Sequence, residues 1–155
     1  QRAWRRDLRI HLASLLARGH GDAGCGVNLL LVDDDLVDVM AVRRAVRKSK
    51  RECKLWVAGD GEEALALLRD PNDRLPKPLI ILLDLNMPRM DGHTFLREVR
   101  ADLDHRDVEV FVMTTSTSKR DMAASHQAKV SGYLNKNELG DDLIGLIAVL
   151  EDAAA

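Results

Sequence analysis

Leu79-Ile80-Ile81-Leu82-Leu83-Asp84-Leu85-Asn86-Met87-Pro88-Arg89-Met90-Asp91-Gly92 is the stretch on which the fold turns. Leu79 to Leu83 are apolar without interruption, the pattern of a strand buried on both faces in the middle of a parallel sheet. The run ends on a carboxylate, Asp84. Met87-Pro88 and Asp91-Gly92 then carry the chain out through a tight loop. A charged group directly after such a strand lies at its carboxyl edge, where open α/β sheets place their chemistry.

Upstream, Val27 to Val32 is a second apolar run, and it ends in Asp33-Asp34-Asp35. Leu36 to Lys48 follows at helical spacing, with Leu36, Val39/Met40, Val42 and Val46 inward and Arg43, Arg44 and Arg47 outward. Leu55 to Ala58 reads as a short strand. Asp60 and Glu63, at capping-box spacing, open a helix whose buried side is Ala64 to Leu68. Pro71, Pro76 and Pro78 frame the loop before the central strand. Downstream, a helix is predicted from about Gly92 to Ala101 and a fourth strand over Val108 to Met113. A helix from Ser118, a fifth strand over Val130 to Leu134 and a last helix over Leu139 to Leu150 complete the chain. Strands alternating with helices predict an α/β fold, a five-stranded doubly wound parallel sheet covered on both faces.

The common five-strand order, 2-1-3-4-5, puts the switch point between strands one and three. Under that order Asp33 and Asp34 face Asp84, Thr114 ends the neighbouring fourth strand, and Lys136 follows the fifth. Two carboxylates about 4 Å apart repel by roughly 1 kcal/mol in water and about 4 kcal/mol at an effective dielectric near 20. Three together force a proton onto one of them unless a cation compensates. Hard oxygen donors with few other ligands suit Mg²⁺, or Mn²⁺ in its place, which keeps waters and accepts a phosphate oxygen. A carboxylate beside such an ion is placed to attack phosphorus, with Lys136 and the Thr114 hydroxyl neutralising phosphoryl oxygens.

Four segments carry a resemblance: Leu31-Val32-Asp33-Asp34-Asp35, Leu83-Asp84-Leu85-Asn86-Met87-Pro88 with Asp91-Gly92, Met113-Thr114-Thr115-Ser116, and Gly132-Tyr133-Leu134-Asn135-Lys136. In this order the chain resembles, over roughly Val27 to Ala153, the CheY-like receiver domain of a bacterial two-component response regulator. Its Leu-Asp-Leu-Asn and Thr-Thr-Ser wording is most similar to stand-alone regulators of phytochrome-type histidine kinases. The resemblance implies that Asp84 accepts a phosphoryl group from a phosphohistidine on a sensor histidine kinase, with a bacterial phytochrome as a candidate. It implies Mg²⁺ ligation by Asp34, by Asp33 through water, by Asp84 and by the Asn86 main-chain carbonyl. Thr114 and Lys136 would contact the phosphoryl oxygens, and Tyr133 would reorient with Thr114. Strands four and five and the fourth helix would then be the face offered to a downstream protein. The pattern is broken after Lys136, where the family usually has Pro, often across a cis bond, and this chain has Asn137. Either the loop is trans and Lys136 approaches differently, or a cis bond costing about 2.5–4 kcal/mol is retained.

Other readings compete for the same residues. Asp33 to Asp35 alone would read as a helix cap, Lys136 as a surface lysine and Tyr133 as a half-buried strand residue. A flavodoxin-like phosphate cradle is opposed by the three aspartates after strand one. An aspartyl phosphatase would want a second acid where Asn86 stands, so the expected acyl phosphate persists and the chain is not an enzyme beyond self-phosphorylation and self-dephosphorylation. A docking module of the same fold that needs no phosphate is the remaining alternative. Charged residues are 31% of the chain and nearly balanced at a net −2, which gives no ground for nucleic-acid binding. No apolar run is long enough for a membrane span, and Cys25 and Cys53 lack metal or disulfide spacing. A reduced, cytoplasmic setting is expected. Residues 1–22 are expected as an appendage to a receiver at 23–155: an amphipathic helix (Trp4, Leu8, Leu12, Leu15/Leu16) followed by a glycine-rich break. It reads either as an accessory helix or as a dimerisation helix that makes a homodimer. The last helix nearly exhausts the sequence, so a stand-alone or kinase-appended receiver without an output domain is expected.

Overall fold

Every position of Val27–Val32 (β1) and Leu79–Asp84 (β3) is buried, as unbroken apolar runs in the middle of a sheet require. The structure is a computed structural model in which residues 26–72, 75–76, 79–115 and 129–154 are described. Around these two strands lie α1 (Leu36–Lys48), β2 (Cys53–Ala58), α2 (Gly61–Arg69), α3 (Gly92–Ala101), β4 (Glu109–Thr114), β5 (Gly132–Asn135) and α4 (Leu139–Ala154). A single 3-10 turn, Lys136–Glu138, joins β5 to α4. All pairings are parallel and the order is β2-β1-β3-β4-β5, as expected.

Side chains alternate across the sheet with period two and sort into two apolar layers. Leu29, Leu31, Ile80, Leu82, Phe111 and Met113 pack against α1 and α4 through Val39, Val42, Leu143 and Ile147. Leu30, Val32, Ile81, Leu83, Val110 and Val112 pack against α2 and α3 through Leu65, Leu68, Phe95 and Leu96. Asp33 and Asp84 continue the first of these series, so both carboxylates belong to the α1/α4 side.

Aspartates begin three of the helices. The side chain of Asp35 accepts from the Val37 amide at 2.8 Å, that of Asp60 from Glu63 at 2.9 Å, and that of Asp91 from Thr94 at 2.8 Å. Glu63 returns a bond to the Gly59 amide at 2.8 Å, one residue earlier than a capping box would place it. Gly92 is fixed by crowding: an added Cβ would lie 2.5 Å from the Asp84 carbonyl oxygen and 2.6 Å from the Leu85 Cα. The residue that closes the loop therefore presses on the backbone of the residue that opens it.

Some boundaries differ from the sequence reading. β2 begins at Cys53 instead of Leu55, and β5 spans Gly132–Asn135 instead of 130–134. The last helix reaches Ala154. In α1 the inward residues are Val39, Val42 and Ala45, whereas Leu36 and Met40 are 76% and 61% exposed. Leu36 and Met40 stand on the stripe that continues through Arg43 and Arg47, and that stripe faces away from the sheet. The helix expected over residues 1–18, its accessory or dimer-forming role, and the helix expected from Ser118 lie outside the described residues.

Candidate functional site

Sheet register alone brings the first two acids together. Val32 pairs with Leu83, so Asp33 and Asp84, one step further on each strand, leave the sheet side by side. Asp84 pairs with Met113 and Thr114 with Asn135, which brings Thr114 and then Lys136 to the same edge. Asp34, Asp84, Asn86, Thr114 and Lys136 line one crevice of about 640 Å³, and Leu36 forms part of its rim. Tyr133 pairs with Val112 and packs, half-buried, against the α2/α3 layer. It is not among the residues lining the crevice.

Carboxylate oxygens of Asp33, Asp34 and Asp84 lie within 4.8 Å of one another, with Asp34 exposed and the other two buried. The Asp33–Asp35 run therefore divides its work: Asp35 caps α1 and lines the crevice beside it, while Asp33 and Asp34 join Asp84 in the acid cluster. Asp33 Oδ1 accepts from the Asp35 amide at 2.9 Å, and Asp84 Oδ1 accepts from the Asn86 amide at 3.1 Å. Those bonds hold one oxygen of each acid and leave the other for chemistry. Among the described residues Asp33 Oδ2 is buried without a hydrogen-bond partner, although Lys136 Nζ stands 3.2 Å away at ion-pair distance. An orphaned buried carboxylate oxygen is costly unless something positive completes it.

Lys136 supplies part of that charge. Its ammonium is 2.6 Å from Asp38 Oδ2, 3.2 Å from Asp33 Oδ2 and 3.4 Å from Asp84 Oδ2. Burial disfavours the charged form of Lys136. The hydrogen bond to Asp38 and the charges of Asp33 and Asp84 outweigh it and raise the pKa. Burial pushes Asp33 the other way, up to about 7, with Asp84 and Asp38 adding to the rise and the Asp35 amide and Lys136 opposing it. Among the described residues Asp33, Asp38 and Asp84 thus stand around one lysine, with Asp34 beside Asp33 and Asp84, an excess of negative charge. Clustered hard oxygens with one orphan fit a divalent cation that keeps some of its waters.

Two features had no clear signature in the sequence. Asp38, in the first turn of α1, reads as an ordinary acid favouring a helix start. Its contact with Lys136 spans 98 residues of chain. Arg89 holds a positive φ of 63° and pairs with the buried carboxylate of Asp60, so the loop after Asp84 is tied to the start of α2. Met90 packs over Gly61 in the same place.

The sequence profile described as "Response regulator receiver domain" matches residues 29–148. The chain belongs to the response regulator receiver family. This receiver is 34% identical over 125 residues to response regulator Rcp1 of Synechocystis sp., covering 79% of this chain and 85% of that protein. It is similar to the structure of the Mn²⁺-bound form of Rcp1, with a TM-score of 0.69, 32% identity, and coverage of 77% of this chain and 90% of that one. It is also similar to the phosphorylated cyanobacterial phytochrome response regulator RcpA, with a TM-score of 0.68, 28% identity, and coverage of 77% and 89%. The receiver thus has relatives among phytochrome response regulators, in line with the resemblance read from its wording. No helix among its described residues is long and apolar enough to cross a membrane.

Proposed function

We propose that this receiver accepts a phosphoryl group onto Asp84 from a sensor histidine kinase, in a reaction that depends on Mg²⁺ or Mn²⁺, and so switches its protein contacts. The observation that carries the reading is the placement of Asp84: buried within the three-acid cluster, with one oxygen tied to the Asn86 amide and the other 3.4 Å from Lys136. An Asp84 oxygen forms the new P–O bond as the P–N bond of phosphohistidine breaks. The bonding electrons return to the imidazole, which takes up a proton from solvent. Asp33, Asp34, Asp84 and the Asn86 carbonyl would hold the cation, whose charge when bound offsets that of the phosphoryl oxygens. Thr114 and Lys136 contribute a hydroxyl and an ammonium to the same oxygens.

The similarity to phytochrome response regulators supports a bacterial phytochrome as the kinase, and the reaction of this reading belongs in the cytoplasm. Thr114, the last residue of β4, and Tyr133, which pairs in β5 with Val112, are the switch residues of this reading, and a downstream protein reads their rearrangement. The receiver unit is 23–155, with 1–22 as its appendage. It catalyses only its own phosphorylation and dephosphorylation.

The test is intact mass after incubation with a small phosphodonor and Mg²⁺. A phosphoryl adduct is expected in the native chain and is expected to vanish in Asp84→Asn and in chelated samples. A folded native protein of unchanged mass would hand the crevice to the phosphate-independent docking reading.

A further inference from the structure

We propose that Asp38 is the positioning residue for Lys136, holding its ammonium at the crevice once a cation has claimed the other carboxylates. The inference rests on the phosphoryl-transfer reading above and extends it to a residue outside the metal cluster.

Among the described residues Lys136 has three acidic neighbours, and they are not equivalent. Only Asp38 receives a hydrogen bond from the ammonium; Asp33 and Asp84 stand at ion-pair distance. Asp33 and Asp84 also belong to the cluster of oxygens that suits a cation, and Asp38 does not. A divalent ion in that cluster neutralises the two acids and repels an ammonium beside them. Without a further anchor, Lys136 would be driven from the crevice when it is needed there. Asp38 keeps its full charge for the lysine. It is presented from the first turn of α1, a helix whose start is capped by Asp35 and whose next residue, Val39, is buried in the core. Both partners are largely shielded, with side chains 12% and 15% exposed, so water screens the pair less than a surface ion pair. A four-carbon stem costs rotamer entropy to hold still, and a fixed acceptor on a rigid helix reduces how much of it remains to be lost in the reaction.

The experiment has two arms, so a failure of the phosphoryl-transfer reading is separable from a failure of this one. In the first arm, the Mg²⁺-loaded protein is observed by NMR at the Lys136 ammonium, with no phosphodonor. The native chain is expected to show ammonium protons protected from water exchange. Asp38→Asn, nearly isosteric, is expected to lose them, and Asp38→Glu, which keeps the charge within reach, to recover them. In the second arm, the rate of adduct formation is measured at saturating Mg²⁺. Asp38→Asn is expected to slow it on the order of tenfold, Asp38→Glu to restore most of it, and the double variant with Lys136→Ala to be no slower than Lys136→Ala alone. Equal losses from Asp38→Asn with and without Lys136 would overturn the proposal, because the acid would then act independently of the lysine. Protected ammonium protons that persist in Asp38→Asn would overturn it as well. If the native chain takes no phosphoryl group, the function reading falls and the NMR arm still decides the role of Asp38.

Discussion

Two polar clusters close opposite ends of the sheet, and their arithmetic differs. At the amino end, Arg100 donates to the Arg106 and Val108 carbonyls, both at 2.8 Å, and to the Lys129 carbonyl at 2.9 Å. Buried Glu109 accepts a hydrogen bond from the Ser131 hydroxyl, which itself accepts from the Val110 amide at 3.2 Å. Burial pulls the Arg100 pKa down, and the nearby charges of Glu109 and Asp107 oppose that fall. Donors meet acceptors there, and the cluster ties α3 and the loop after it to the start of β5. At the carboxyl end, three acids surround one lysine, a fourth, Asp34, joins two of them in the oxygen cluster, and a buried carboxylate oxygen has no hydrogen-bond partner among the described residues. A satisfied network of buried groups holds a structure together, whereas an unbalanced one invites a ligand.

The largest break in that comparison comes from the amino end. Arg100→Met strips three carbonyls of their donor and leaves Glu109 without the neighbouring positive charge. We expect a loss of about 2–4 kcal/mol, read as a fall of roughly 10 °C in the thermal midpoint. Adduct formation per folded molecule should not change. A variant that loses phosphoryl acceptance at unchanged stability would show that the amino-end cluster reaches the crevice.

Removing the imbalance at the carboxyl end should matter less, and in a pH-dependent way. Asp33 is raised from 3.8 to about 7 in the fold. Between those values the native state binds more protons than the unfolded chain, so without divalent cations stability falls as pH rises from about 4 to about 7 and then levels. A cation takes the place of the proton. Added Mg²⁺ should therefore raise the thermal midpoint by several degrees at pH 8 and by much less at pH 5, and Asp33→Asn should flatten the EDTA curve. Midpoints that rise with pH in EDTA would contradict the placement of Asp33 in an anionic, desolvated pocket.

The carboxyl-end site was largely readable before any coordinates, because its parts hang on unbroken apolar runs. Val27–Val32 and Leu79–Leu83 announce buried strands, and their neighbouring ends place Asp33 beside Asp84 by register. Where patterning is weak the reading fails. β2 lies at the sheet edge and is mostly half-exposed, so its start at Cys53 carries no clear apolar signal. Leu36 and Met40 fit a helical stripe, yet they share it with the exposed Arg43 and Arg47, while Val39, Val42 and Ala45 make the buried one; where two stripes overlap, spacing alone does not say which faces the sheet. Asp38 and Lys136 meet through space across most of the domain, a contact that neither local propensity nor periodicity encodes.

The smallest expected effect concerns the loop that carries Asn86. Arg89 spends conformational energy at φ 63° and makes an ion pair with Asp60, and the two terms oppose each other. A non-glycine residue in that region costs of order 1–3 kcal/mol, whereas an ion pair with one exposed partner contributes roughly 0–1 kcal/mol. Arg89 is 68% exposed and Asp60 is nearly enclosed, so the pair belongs near the upper end of its range. Arg89→Gly relieves the backbone and abandons the pair. The expected net change is within about 1 kcal/mol, with the sign toward stabilisation. Asp60 would still cap α2 through its bond to the Glu63 amide, and the loop would keep the Gly92 amide bond to the Leu85 carbonyl at 3.1 Å. A thermal midpoint that rises slightly, with adduct formation retained, fits a loop held chiefly by its backbone. A midpoint that drops by many degrees would mean that the Arg89–Asp60 pair, and not the Gly92 contact, anchors the strand end where Asp84 sits.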